Sequence, residues 1–234
     1  MKGLCMRNIF KSMLFLACVF ATLQCYASHD CDCAKKCQDK ALESLFHGNK
    51  EFVKNPKFAK ERKPLVKGQN PHVIMLSCAD SRVPPETIFQ QGLGDLFVVR
   101  SAGQVADLVV VDSIEYAVRT FDSCIIIVMA HTDCGAVKGA LARLQRNNGV
   151  IDPINGHLNA VLIPIETAIV EAGIDIYAPD ALKQSTHANV RYIVNELISQ
   201  SVPIEEAIAE KRLKIIGAEY HLDSGKVKKL FTIK

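Results

Sequence analysis

The sequence predicts an α/β fold: an open, mainly parallel sheet covered by helices and preceded by an N-terminal helical arm. Three observations carry that prediction. Residues 73–77 (VIMLS), 96–100 (LFVVR) and 124–130 (CIIIVMA) are strand-length runs of successive apolar positions, the pattern of strands buried on both faces. Segments of helical period separate them, as the crossovers of a parallel sheet require. Residues 213–220 and 226–232 then read as a last strand and its hairpin partner around Asp223-Ser224-Gly225.

At the start of the chain, Lys2, Arg7 and Lys11 give a positive segment, and residues 13–23 form an apolar run. That run is shorter than the about 20 residues that span a bilayer. Small residues at Cys25 and Ala27 suit signal peptidase, so residues 1–27 read as a signal peptide and the mature protein as periplasmic or secreted. A retained membrane anchor is the alternative. Residues 28–40 are polar and Cys-rich and read as a loosely ordered lead-in. Leu42, Leu45, Phe46 and Phe52 recur at helical spacing, which predicts a helix over 41–54. Pro56, Pro64, Gly68 and Pro71 mark 55–72 as an irregular crossing. Helices are expected over 106–120, 135–146, 154–173, 179–201 and 204–211. Residues 41–234 make one domain, long enough for a full core and short for two.

Charge narrows the partners. The formal net charge is +3, but setting aside the three leader cations leaves 25 basic against 25 acidic side chains. Nucleic acid and, after signal removal, acidic membrane surfaces both call for a basic stripe that this chain lacks. Of the nine cysteines, Cys5, Cys18 and Cys25 leave with the signal. Cys31, Cys33 and Cys37 follow the spacing C-x-C-x3-C, which closes no zinc site without a fourth ligand such as His29. A disulfide, a surface metal site or neither stays open for them. Cys124 reads as a small core residue. In an oxidising compartment Cys78 and Cys134 need protection, and a tightly bound metal supplies it.

The chemistry lies in two short motifs placed where an open α/β sheet puts its site, beyond the carboxyl ends of strands. Cys78-Ala79-Asp80-Ser81-Arg82 follows the first strand, and His131-Thr132-Asp133-Cys134 follows the third. If those strands neighbour each other, Cys78, His131 and Cys134 converge as two thiolates and an imidazole. That is a tetrahedral zinc set with one position open, the mark of a catalytic rather than a structural site. Loop residues that hold no metal are the alternative.

These motifs, with Val83-Pro84 and the run Gly94-Asp95-Leu96-Phe97-Val98-Val99-Arg100, resemble the β-class carbonic anhydrases over roughly residues 41–232. The chain looks like an exported bacterial member of the plant-like type. The resemblance implies reversible hydration of carbon dioxide to bicarbonate and a proton by hydroxide held on zinc. It implies one Zn2+ per chain, held by Cys78, His131 and Cys134. It also implies a homodimer or higher homo-oligomer, with the 41–52 helix as a candidate exchange arm. Asp80 and Arg82 match the family's carboxylate–guanidinium dyad, and a planar, permanently charged Arg82 suits a bidentate grip on Asp80. By the same resemblance Gln69 is an amide that binds a substrate oxygen, Phe97 and Tyr116 line the CO2 site in part from the neighbouring subunit, and Gly135 offers a backbone N–H. Val105 is a further candidate for the apolar wall, and His187 and His221 are candidates for moving protons. Arg100-Ser101-Ala102-Gly103-Gln104 departs from the usual Arg-Asn-x-x-Asn, and the chain has no Trp. Gln69 and the missing Trp favour an arrangement in which Asp80 stays on Arg82, water is the fourth ligand, and activity persists at pH 7. Hydrolysis of carbon disulfide or carbonyl sulfide on the same scaffold, or a non-catalytic zinc site, are the rival readings.

Overall fold

The computed structural model describes residues 31–153 and 158–234, with the side chains of 31–34 set aside. The expected signal peptide therefore lies outside the described residues. A boundary between Lys60 and Glu61 divides the chain into two compact units.

The first unit is helical. α1 spans Cys31–Lys54, so most of the Cys-rich stretch expected to be a loose lead-in is helix instead. Ala34, Lys35, Lys36, Gln38 and Lys40 are good helix formers, and no Gly or Pro interrupts them. α2 spans Pro56–Leu65, where an irregular crossing was expected. Here the signals of a helix start are all present: the Asn55 side chain accepts a bond from the Lys57 N–H at 3.0 Å, and Pro56 takes the first helical position. Phe52 and Phe58 pack across the join with centroids 4.7 Å apart.

The second unit holds the sheet, in the order β2-β1-β3-β4-β5. β1 (Val73–Cys78) pairs in parallel with β2 (Leu96–Ser101) and with β3 (Ile125–His131). β3 pairs in parallel with β4 (Lys214–Tyr220), and β5 (Val227–Ile233) returns antiparallel to β4. The expected strands and hairpin thus form. Between them lie α3 (Pro85–Ile88), a 3-10 turn Ala102–Gln104, α4 (Leu108–Thr120), α5 (Gly135–Arg146), α6 (Asn159–Glu171), α7 (Ala181–Gln200) and α8 (Val202–Ala209). α4 is started by Asp107, whose carboxylate accepts from the Val110 N–H.

On one face of the sheet, Ile74, Leu76, Ile126, Val128 and Ile215 are sealed by Val111 and Ile114 of α4 and by Val190, Ile193 and Leu197 of α7. On the other, the buried cluster is small: Met75, Met129 and Ala218, with Val98 and Ile127 only partly covered. A third cluster at the carboxyl end joins Cys78, Val105 and Cys134 to Val137, Ile165 and Ile169. Cys124, expected in the core, is exposed. It precedes β3 by one residue, at the amino edge of the sheet, where its N–H bonds to the His72 carbonyl and its side chain is left exposed.

Candidate metal centre

The parallel pairing of β1 and β3 brings Cys78 and His131, the last residues of their strands, to the same edge of the sheet. Cys134 must then turn back toward His131 within three residues. Asp133 makes that turn with a positive φ of 63°, a conformation that Asp tolerates better than most residues. The turn is anchored to β4, because Thr132 N–H donates to the Tyr220 carbonyl and Leu222 N–H donates to Thr132 Oγ1. As a result the ligating atoms of Cys78, His131 and Cys134 all lie within 4.8 Å of one another, and all three residues are buried.

The imidazole has a fixed orientation. Its Nδ1 lies 2.9 Å from the Thr132 carbonyl, which can only accept, so Nδ1 carries the proton. Nε2 is left as a lone-pair donor, buried and with no hydrogen-bond partner. That is the arrangement found behind metal-ligating histidines.

The sulfurs sit 4.0 Å apart and are surrounded by backbone N–H groups. Cys78 Sγ accepts from Gly103 N–H at 3.3 Å and from the Asp80 backbone. Cys134 Sγ accepts from Ala136 and Val137 at the amino end of α5, where a helix favours negative charge. Two thiolates this close oppose each other's ionisation. The Cys134 hydrogen bond pulls Cys78 down, while the same bond and then burial push Cys134 up. A divalent cation among them removes the conflict, and two soft sulfurs with one imidazole suit zinc with one position left open.

Beside this buried set stands a more exposed pair. Arg82 donates from Nε to Asp80 Oδ1 at 2.9 Å and from Nη2 to Oδ2 at 2.7 Å, and its backbone N–H adds a third bond at 2.9 Å. The Arg82 side-chain bonds hold the Asp80 carboxyl well below the usual carboxylate range, against a smaller opposing effect of burial. Asp80 Oδ2 lies 3.8 Å from His131 Nε2, so the carboxylate faces the ligating atoms.

Two contributors escaped the sequence reading. Arg100 donates to the Cys78 carbonyl at 2.9 Å and to the Asp80 carbonyl at 2.6 Å, bracing the loop that carries both. Its place at the end of a strand beside the motif was the available signal. Gly103 acts through its backbone alone, with a φ of +65° and no room for a Cβ, which would meet Ile165 Cδ1 at 2.8 Å.

The structure thus gathers Cys78, Asp80, Arg82, His131 and Cys134, with the candidate wall residue Val105 in the same buried cluster as the two cysteines, and the remaining candidates contribute no side chain to the set. Gln69 is exposed on the segment before β1. Gly135, the first residue of α5, is exposed beside Cys134. Phe97 packs with Tyr116 and Phe121 (centroids 6.3 and 5.8 Å), and Tyr116 is 54% exposed. Phe97 pairs with Ile74, four positions back from the strand end, or about 13 Å at the usual rise. His187 and His221 both approach Glu219 instead, each Nε2 3.2 Å from its buried Oε2. Glu219 and His221 line a cavity of about 270 Å³ with Thr132, Asp133, Lys183 and Thr186. That cavity borders Thr132, whose carbonyl holds Nδ1 of His131, and none of Cys78, His131 and Cys134 lines it.

Comparison with known proteins agrees with this geometry. The family model described as carbonic anhydrase matches residues 73–227. Carbonic anhydrase 2 of Mycobacterium tuberculosis is 38% identical over 194 residues, covering 80% of this chain and 89% of the relative. The carbonic anhydrase of Mycolicibacterium smegmatis is 34% identical over 195 residues, covering 80% and 90%. Among solved structures, a tetrameric β-carbonic anhydrase of Sordaria macrospora superposes with a TM-score of 0.66 at 27% identity, covering 83% of this chain and 97% of that one. The Coccomyxa β-carbonic anhydrase bound to acetazolamide gives 0.66 at 25% identity, covering 81% and 86%.

Proposed function

Since the chain belongs to the β-class carbonic anhydrase family, we infer that Cys78, His131 and Cys134 are its zinc ligands and that Asp80 and Arg82 form its catalytic dyad. Its activity is the reversible hydration of CO2 to bicarbonate and a proton, and its cofactor is zinc. The observation that carries the residue assignment is the set of three buried ligating atoms within 4.8 Å, faced by an ionised carboxylate.

When bound, zinc supplies Lewis-acid activation of a water molecule near neutral pH. The chain supplies the rest. Asp80 accepts a hydrogen bond from the attacking water or hydroxide and so directs a lone pair at CO2. Arg82 keeps that carboxylate charged and fixed, leaving it unable to swing onto the metal while three bonds hold it. This favours water as the fourth ligand and activity at pH 7. Val105, buried against Cys78 and Cys134, gives the site an apolar wall suited to a nonpolar gas.

A homo-oligomer completes the site. Gln69, Phe97 and Tyr116 stand outside the cluster of their own chain, and the exposed Tyr116 and the half-covered second face of the sheet give a neighbouring subunit apolar surface to bind. The Sordaria relative is a tetramer, which supports assembly without fixing its order here. In that assembly the three residues serve a neighbour's substrate. The leader residues support a periplasmic or secreted location.

The decisive experiment is metal analysis of Cys134→Ser together with a CO2 hydration assay. Loss of both zinc and activity is expected, because a neutral hydroxyl is a far poorer ligand than a thiolate. Near-normal zinc in that variant overturns the ligand assignment.

A further inference from the structure

We propose that Asn189 is a positioning residue for the metal centre, acting through Gly103 on the sulfur of Cys78. The proposal rests on the assignment of Cys78 as a zinc ligand. Asn189 sits in the middle of α7, is 0% exposed, and is 111 positions along the chain from Cys78. Its Nδ2 donates to the Gly103 carbonyl at 2.9 Å, and the Gly103 N–H donates to Cys78 Sγ at 3.3 Å. A single residue therefore links α7 to the thiolate.

The link is tightly constrained. Gly103 holds a left-handed φ, and Ile165 and Ala136 fill the space where a side chain would stand. With one side of the glycine closed by packing and its carbonyl held by Asn189, the direction of its N–H is fixed. Asn189 does little else. Its Oδ1 is buried with no hydrogen-bond partner, so the amide is kept inside at a cost in desolvation for the bond to Gly103. An apolar residue would suit the core of α7 better if packing were its only role.

An N–H aimed at a thiolate draws electron density from the sulfur and weakens its donation to a cation. Removing Asn189 leaves the Gly103 carbonyl buried and unpaired, lets that turn move, and loosens the N–H···S bond. Cys78 then becomes the stronger donor, and the metal becomes the weaker Lewis acid. Outer-shell partners of this kind are typically worth about 10–100-fold in metal affinity or activity.

The test uses full-length protein loaded with cobalt(II), in which sulfur-to-metal charge transfer reports the thiolate donors directly. Asn189→Ala and the similarly sized but apolar Asn189→Leu, neither of which can donate, are compared with Val190→Ala. Val190 is equally buried on the neighbouring helical position and packs on the sheet, so its truncation destabilises without touching Gly103. Both Asn189 variants should move the charge-transfer band to lower energy, and the zinc forms should lose about tenfold in turnover. Val190→Ala should leave the band in place. A band unmoved in whichever Asn189 variant folds, or moved equally by Val190→Ala, overturns the proposal. Absence of any charge-transfer band in the unmutated protein would instead overturn the ligand assignment beneath it.

Discussion

Cys78 and Arg82 lie four positions apart in one loop, yet they belong to regions built on opposite plans. The Cys78, His131 and Cys134 set is sealed, with exposures of 4%, 0% and 1%, and backbone groups orient its sulfurs and ring. The Asp80–Arg82 pair is half in solvent, with the Arg82 side chain 50% exposed, and it holds itself together by side-chain bonds. Backbone donors are placed by the packed turns that carry them, so the fold itself positions the first region, as a metal set requires. A carboxylate and guanidinium in partial contact with water can be reached by substrate and product while they stay paired to each other. The difference teaches that one loop serves two tasks because burial changes steeply along it.

Variants can separate the two regions. The largest effect is expected in the sealed one: Cys78→Ser should lose zinc, and activity should fall by more than the about 100-fold seen for outer-shell changes. Elemental analysis alongside stopped-flow CO2 hydration checks both. In the exposed region Asp80→Asn should keep zinc and fold but lower turnover by about 100-fold, the low end for a positioned proton acceptor. Unchanged turnover would leave Asp80 as a structural partner of Arg82 only.

A smaller effect concerns pH. The carboxyl of Asp80 is held below its ordinary value, so its contribution is complete above that value, about 3.9, and disappears only as pH falls through the lower folded one. Between pH 8 and 5 no loss of stability or rate should trace to Asp80. Arg82→Gln removes the first cause of the depression, and its Asp80 pKa, read by carboxyl NMR, should rise toward the ordinary range. An unmoved value would mean that Arg82 does not set it.

Smaller still is the change expected from Tyr116→Arg. It should weaken assembly in sedimentation experiments while each chain keeps its zinc, since Tyr116 lies outside the cluster. The smallest effect belongs to deletion of residues 28–40. It shortens α1 and removes none of the five residues of the site, and turnover should stay within about twofold, the scatter of an ordinary surface change.

The sequence by itself determined the strands, the mainly parallel character of their sheet and the five chemical groups that follow them, while the adjacency of β1 and β3 came from the structure. Apolar runs apart from one another in the chain can pair only a few ways in an open α/β sheet, and Cys, His, Asp and Arg declare their chemistry wherever they stand. Tertiary structure decided what local pattern cannot hold. Whether Cys124 lies inside depends on what packs over the amino edge of β3, and its side chain is exposed there. The helical start at Cys31 is a different case, since the propensity of Ala34, Lys35, Lys36, Gln38 and Lys40 was present in the sequence and the cluster of cysteines masked it. Arg100 and Asn189 donate from their side chains to backbone carbonyls and Gly103 donates its own N–H, and because any residue offers such backbone groups the sequence does not show which carbonyl or sulfur each one meets. Phe97 and Tyr116 were legible as aromatics, but only the register of β2 against β1 put Phe97 about 13 Å from the strand end, with Tyr116 of α4 packed against it.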